Sequence, residues 1–466
     1  MSARRFTVPL HGAFVLLTST LGLLSYAAAQ SLVPANDTVL HVFQGGSADG
    51  ILPAGGVVFD SAGNLYGATI YGGSGGSDCI GGSCGTVYEL TPPAQPGGAW
   101  VETILYNFTG VSHNQDGELP NGGLVIDAAG NLYGVTAYGG TGGCELFGGV
   151  DGCGTVFKLS PPSQPGGSWT KTTIYSFQGG LDGDLAMGSL TFDAAGNLYG
   201  ATQYGGGFGT CNAPFYQNCG TIFELSPPKK QGGTWTERVL YSFKGGTDGA
   251  NPNGGLIFDK YGALYGTTYY GGGISRTGQT TCEGNAGTGC GTVFRLEPPV
   301  ASNAAWHEEV LYRFRNWPTD GALPSAGVVA DEMGNLYGMT LAGGSNEEGA
   351  VFLLSPPGQQ GGIWTETVIL NLGGPVGAQP MAGFILRSGS LYGTGSSDGV
   401  YSAGTVFRLG QGAGGVGSYS VLCNFPAGNQ VAEPESSLTF DKSGALYGTA
   451  QAYDHEINGA VFKVDN

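Results

Sequence analysis

The sequence predicts an all-β fold, a seven-bladed β-propeller built of four-stranded antiparallel blades. Three observations predict it. Leu-Tyr-Gly occurs seven times, at Leu65, Leu132, Leu198, Leu264, Leu336, Leu391 and Leu446, and the tyrosines are spaced by 67, 66, 66, 72, 55 and 55 residues. Each such period has room for four short strands and their turns, and is too long for the common helical repeats. The two chain ends, finally, carry complementary pieces of one repeat. Ninety glycines, 24 prolines and 11% charged residues fit this reading, because glycine and proline are the poorest helix formers and the glycines recur at fixed offsets from apolar runs, as turn residues do.

Residues 1–29 read as a secretory signal peptide: Arg4 and Arg5, an apolar stretch from about Ala13 to Leu24, then Ala27, Ala28 and Ala29 before the cleavage point. The stretch is short and broken by Thr18, Ser19 and Thr20, which argues against a membrane anchor. Residues 30–37 form a short leader, and residues 38–466 the single propeller. Cleavage leaves 15 basic and 35 acidic side chains, a charge of 15 − 35 = −20. Such acidity excludes a nucleic-acid partner and suits a soluble, monomeric, secreted or cell-surface protein with no membrane span after processing.

The second repeat shows the elements in order. Gly123–Asp127 is a first strand, ended by the turn Asp127-Ala-Ala-Gly130, where aspartate caps and glycine takes the left-handed position. Asn131–Tyr138 returns as the second strand. After a glycine-rich loop, Gly154–Ser160 is the third, stopped by Pro161 and Pro162, which cannot donate to a ladder. Trp169–Phe177 is the fourth. The mature chain begins with Thr38-Val-Leu-His-Val-Phe43, a fourth strand, and ends with Gly459-Ala-Val-Phe-Lys-Val464, a third. Residues 38–43 therefore complete the last blade and remove an open edge.

Eight of nine cysteines fall in four pairs at one place in successive repeats, Cys79 with Cys84, Cys144 with Cys153, Cys211 with Cys219, and Cys282 with Cys290. In an exported chain these read as four local disulfides. Cys423 is left as a buried thiol.

The run Gly-Leu-x-x-Asp-x-x-Gly-Asn-Leu-Tyr-Gly, followed by Tyr-Gly-Gly, Gly-Thr-Val-Phe and Pro-Pro, resembles the GloVer-type, choice-of-anchor tandem repeat of exported bacterial proteins, over nearly all of residues 38–466. The resemblance implies export and repeat architecture and carries no activity. The later copies drift, with Arg387 in place of the turn aspartate. The hairpin is also similar to that of NHL and gluconolactonase-type propellers, which implies that Gly123–Asp127 is innermost and Trp169–Phe177 outermost.

With that order, the stapled loops and the blade-joining loops share one face. The loops hold 11, 13, 13 and 18 residues in blades one to four and four residues, Ser345–Glu348, in blade five, so the face should be raised over blades one to four and low over blades five to seven. The blade-joining loops repeat Asp-Gly-x-x-Pro at Asp49, Asp116, Asp248 and Asp320, with Asp182 in a variant copy and Val376 and Gln430 in blades six and seven. Five aspartates on one rim could hold calcium or a hydroxylated ligand; equally, Asp-Gly makes a turn whose side chain bonds nearby backbone. Tyr71, Tyr138, Tyr204 and Tyr270 stand at the mouths of the stapled loops, where they could stack on a sugar or peptide or pack beneath the loop. Calcium is the one cofactor these residues suggest.

Catalytic constellations are scarce. His41, His113, His307 and His455 lie at unrelated offsets and offer no metal cluster, with His41 expected at the periphery. No residue is assignable as catalytic, and the balance is against an enzyme. The reading is an exported binding or scaffold module for an extracellular glycan or protein. The alternatives are a lyase or lactonase-type enzyme with a metal in the central channel, and a purely structural cell-surface protein. Departures from the repeat, namely the Cys282–Cys290 loop, Trp317, Val376 and Gln430, are where function should concentrate.

Overall fold

A computed structural model describes residues 37–466 except 76–78, 80–81, 96, 111–114, 147–148, 151, 165, 208–210, 212–217, 231, 274–281, 285–286, 302–303, 316–319, 360, 411–416, 427–430 and 452–457. The predicted signal peptide, Trp317, Gln430 and parts of the stapled loops lie outside the described residues. What is described is a seven-bladed β-propeller. Blade one comprises Gly50–Phe59, Leu65–Gly72, Thr86–Thr91 and Val101–Asn107, hydrogen-bonded in that order and all antiparallel. Blade seven consists of Thr439–Phe440, Leu446–Ala450 and Ala460–Val464, completed by the chain's first strand Asp37–Val42. The first strand pairs antiparallel with the last, Val42 opposite Ala460, as the two chain ends predict. Among the described residues no helix is long and apolar enough to cross a membrane.

The innermost strand differs from the sequence reading. It starts not at Gly123 but at Gly117, and Asp-Gly-x-x-Pro is its first half, with Gly117 opposite Gly139 and Pro120 opposite Thr136. The strand is then interrupted and resumes at Val125–Ile126. The residue before the proline or its substitute is left-handed in all seven repeats, at Leu52, Leu119, Leu185, Asn251, Leu323, Gln379 and Glu433, although in blades one and three the innermost strand stays continuous, as Gly50–Phe59 and Gly183–Phe192. Six of these seven lack the side chains that tolerate that region best, so the conformation costs energy that another contact must offset. That contact is a hydrogen bond between blades. The left-handed amide donates to the residue that precedes the third strand of the previous blade: Leu119 to Cys84, Leu185 to Cys153, Asn251 to Cys219, Leu323 to Cys290, Gln379 to Glu348, Glu433 to Ala403 and Leu52 to Asn458, all within 2.7–3.1 Å. In four cases the acceptor carbonyl belongs to a disulfide cysteine.

The core lies between blades. A phenylalanine after six of the seven fourth strands, with Leu372 in its place in blade five, meets an aromatic ring from the third strand of the next blade edge-on, as with Phe108 and Phe157 at 5.1 Å, Phe177 and Phe223 at 5.1 Å, and Phe43 and Tyr88 at 5.1 Å across the closure. All of these are essentially buried, each stabilising by about 2–3 kcal/mol. The Leu-Tyr-Gly glycine leaves room for that ring: a Cβ at Gly134 would lie 2.7 Å from Phe157 Cζ. Its tyrosine hydroxyl donates to the turn aspartate, Tyr133 to Asp127 at 3.1 Å, and Asp127 also accepts the Asn131 amide at 2.9 Å. In blade six, where Arg387 replaces that aspartate, a two-residue turn with Ser388 and Gly389 both at positive φ joins Arg387 to its partner Ser390, the turn type that hairpins favour. The four disulfides form as paired in the sequence, and Cys423, outside them, is fully buried.

Candidate functional site

Every fourth strand carries a β-bulge against the third, between Val87 and Tyr88 in blade one and between Val156 and Phe157 in blade two. The extra residue lets two neighbours in the chain both face the blade junction: Ile174 is buried and the adjacent Tyr175 reaches the blade-joining loop. There its hydroxyl donates to Asp182 at 3.0 Å, as Tyr106 does to Asp116 at 2.8 Å, Tyr241 to Asp248 at 2.9 Å and Tyr312 to Asp320 at 2.8 Å. The same aspartates accept backbone amides, from Gln178 at 2.8 Å, Thr109 at 3.1 Å, Lys244 at 2.9 Å and Arg315 at 2.9 Å. The structure thus places Asp49, Asp116, Asp182, Asp248 and Asp320 each in its own junction, bonded to nearby backbone.

A third side chain, from the next fourth strand, completes each junction. Glu237 faces Asp182, Glu308 faces Asp248, Glu366 faces Asp320 and Glu102 faces Asp49. Burial, then repulsion from the aspartate, pushes these glutamates up to about 7, 7, 8 and 7 respectively. In each, Oε1 is buried and accepts no hydrogen bond from the described residues. Blade two departs from this: Lys171 stands there and pairs with Asp116, both side chains being over nine-tenths buried. Blade six replaces the whole set by uncharged groups, Leu370, Val376 and Tyr419, packed in one cluster. At the closing junction the tyrosine position holds His41. The expectation that the histidines form no metal cluster is corrected here: His41, Asp49 and Glu102 come together, because the bulge between Val39 and His41 turns the imidazole into the junction.

Tyr71, Tyr138 and Tyr204 are half-buried and pack on Leu119, Ala137 and Leu185. Tyr270 is half-buried, edge-on to Tyr269 at 4.8 Å. Across the strand pair Tyr204 faces Asp184, whose carboxyl burial raises to about 6. These tyrosines and the aspartates occupy separate places.

The central channel contains a cavity of about 300 Å³. Its wall includes the residue that follows each proline or its substitute: Ala54, Asn121, Met187, Asn253, Ser325, Met381 and Glu435. Neighbouring walls touch backbone to backbone; a Cβ on Gly55 would lie 2.3 Å from Gly123 N. Glu435 is the one charged residue of this wall among the described residues, and burial, then Glu433, pushes its carboxyl up to about 7. The junction glutamates and Lys171 were missed by sequence reasoning. Their signal was a Trp-x-Glu pattern at Trp100, Trp235, Trp306 and Trp364, with Trp-x-Lys at Trp169.

The model of the Gloeobacter/Verrucomicrobia repeat matches residues 6–281 and 277–466. No curated protein matches the chain. Similar solved structures include a protein of unknown function from Dyadobacter fermentans, at 10% identity over 92% of this chain and 96% of that one, TM-score 0.44. A putative gluconolactonase aligns at 12% identity over 93% and 92%, TM-score 0.38. A Trypanosoma rangeli sialidase aligns at 10% identity over 92% and 58%, TM-score 0.40. At these values the likenesses carry no argument about activity.

Proposed function

Starting from the fact that the chain belongs to the Gloeobacter/Verrucomicrobia repeat family, we propose that it is an exported binding module that takes a small polar ligand, a sugar residue or a peptide turn, at the central channel. Export is supported by the N-terminal pattern and by four disulfides, which persist in oxidising compartments. One observation carries the binding reading: in a motif whose other positions keep a structural task, the residue after the proline reads Ala, Asn, Met, Asn, Ser, Met and Glu in turn, and all seven line one cavity. Blade assembly does not require that variety; selection of a ligand does. Asn121, Asn253, Ser325 and Glu435 offer donors and acceptors, and Met187 and Met381 offer adaptable apolar contact. With one carboxylate among the described wall residues, the channel favours binding over a metal-dependent lyase or lactonase.

The test is a glycan and peptide array probed with the secreted chain, followed by titration of each hit against Asn253→Ala and Met187→Trp. Channel binding requires that Met187→Trp, which fills the cavity, abolish the hit. Hits that both variants retain at full affinity would refute the channel as the site.

A further inference from the structure

We infer that His41, Asp49 and Glu102 form a binding site for one divalent transition-metal ion, zinc being the best fit, which ties the closing strand to blade one. The three donor atoms lie within 4.8 Å of one another. His41 Nε2 is 3.7 Å from Asp49 Oδ1 and 3.8 Å from Glu102 Oε2. Those spacings exceed hydrogen-bond length, yet a tetrahedral ion with bonds of about 2.1 Å holds its ligand atoms about 3.4 Å apart. An imidazole nitrogen with two carboxylate oxygens suits zinc and its neighbours, whereas calcium and magnesium select oxygen donors alone. Three protein ligands leave one position for water.

Two independent observations point to a ligand. His41 Nε2 and Glu102 Oε1 are buried and make no hydrogen bond with the described residues, although their neighbours at the site are well served. Asp49 is oriented by the Gln44 amide at 2.5 Å and the Gly50 amide at 2.6 Å, and the His41 ring is held edge-on to Phe43 at 4.8 Å, the kind of support that fixes metal ligands. The other junctions of the same chain supply the second observation. Where blade two has no glutamate, the Lys171 ammonium sits on the aspartate, so a positive charge is accommodated at this very place. Where tyrosine replaces His41, its hydroxyl bonds the aspartate directly at 2.8–3.0 Å and closes the gap. Among the described residues, only the closing junction combines a nitrogen donor with the wider spacing.

The experiment uses the full secreted chain, stripped with a chelator and dialysed, and titrates zinc chloride by calorimetry with melting measured in parallel. One zinc per chain with micromolar or tighter affinity is expected, together with a melting temperature raised by several degrees; calcium chloride should do neither. His41→Tyr, which rebuilds the arrangement of the other junctions and should fold, is expected to weaken zinc binding at least a hundredfold and to remove the melting shift. Glu102→Gln should weaken binding at least tenfold. Failure of the wild-type chain to bind zinc, or equal binding and stabilisation in His41→Tyr, would overturn the assignment.

Discussion

Glu366→Gln isolates the cost of a carboxylate pair at a blade junction. Glu366 is faced by Asp320 from the blade-joining loop, by the Tyr312 hydroxyl and by Arg315, and burial followed by Asp320 raises it from 4.5 to about 8. In the folded chain it therefore holds a proton between about pH 4.5 and 8 that the unfolded chain has released. The folded state binds more protons in that window, so stability falls as pH rises through it and the penalty is complete only above the folded value. At 1.36 kcal/mol per unit the full shift would be about 5 kcal/mol; solvent reaches part of this side chain, and screening reduces the figure to about 2 kcal/mol. Glutamine keeps the shape and the acceptor and carries no charge. Glu366→Gln should accordingly leave stability unchanged at pH 5 and raise it by about 2 kcal/mol at pH 9, a gain in Tm of about 2 °C for a chain of this length. Urea denaturation at the two pH values reads the difference directly. An equal effect at both, or a loss at pH 9, would show that the pair is not strained by charge.

Two further outcomes follow from the junctions and the closure. Replacing Cys144 and Cys153 together by serine should cost about 2–3 kcal/mol, and hydrogen exchange should quicken at the Leu185 amide, which donates to the Cys153 carbonyl at 3.1 Å; an unchanged Leu185 would break the link between staple and junction. Deleting residues 37–43 removes the fourth strand of blade seven and the Phe43 ring, 1% exposed, whose loss alone costs about 3–5 kcal/mol; size-exclusion chromatography should then show edge-to-edge association, and a monomer of unaltered Tm would count against strand closure.

Fold and candidate site were unequally legible. Blade number and closure could be read because Leu-Tyr-Gly recurs and because Thr38–Phe43 and Gly459–Val464 are halves of one unit. The start of the innermost strand was not, since a left-handed leucine such as Leu185 has no local sequence signal; its conformation is held by a carbonyl in another blade. The junction sets were hidden for a related reason. Asp182 and Glu237 are 55 residues apart and meet only through the curvature of the ring, while a bulge, which strand periodicity does not reveal, turns His41 from the expected periphery toward Asp49. The aspartates themselves were visible, and so was their capacity to bond local backbone.

The hydrogen bond from each left-handed amide to the preceding blade has a bearing on how such chains arise. A repeat copied elsewhere in the gene brings its own donor for what comes before and its own acceptor for what comes after. Arrays can therefore grow or shrink by recombination without inventing a contact, and the joint does not depend on the disulfides of blades one to four, since Glu348, Ala403 and Asn458 make it without them. Wherever such an array stops, the strand at the amino terminus must still reach the third strand of the last blade, as Asp37–Val42 reaches Ala460–Val464 here.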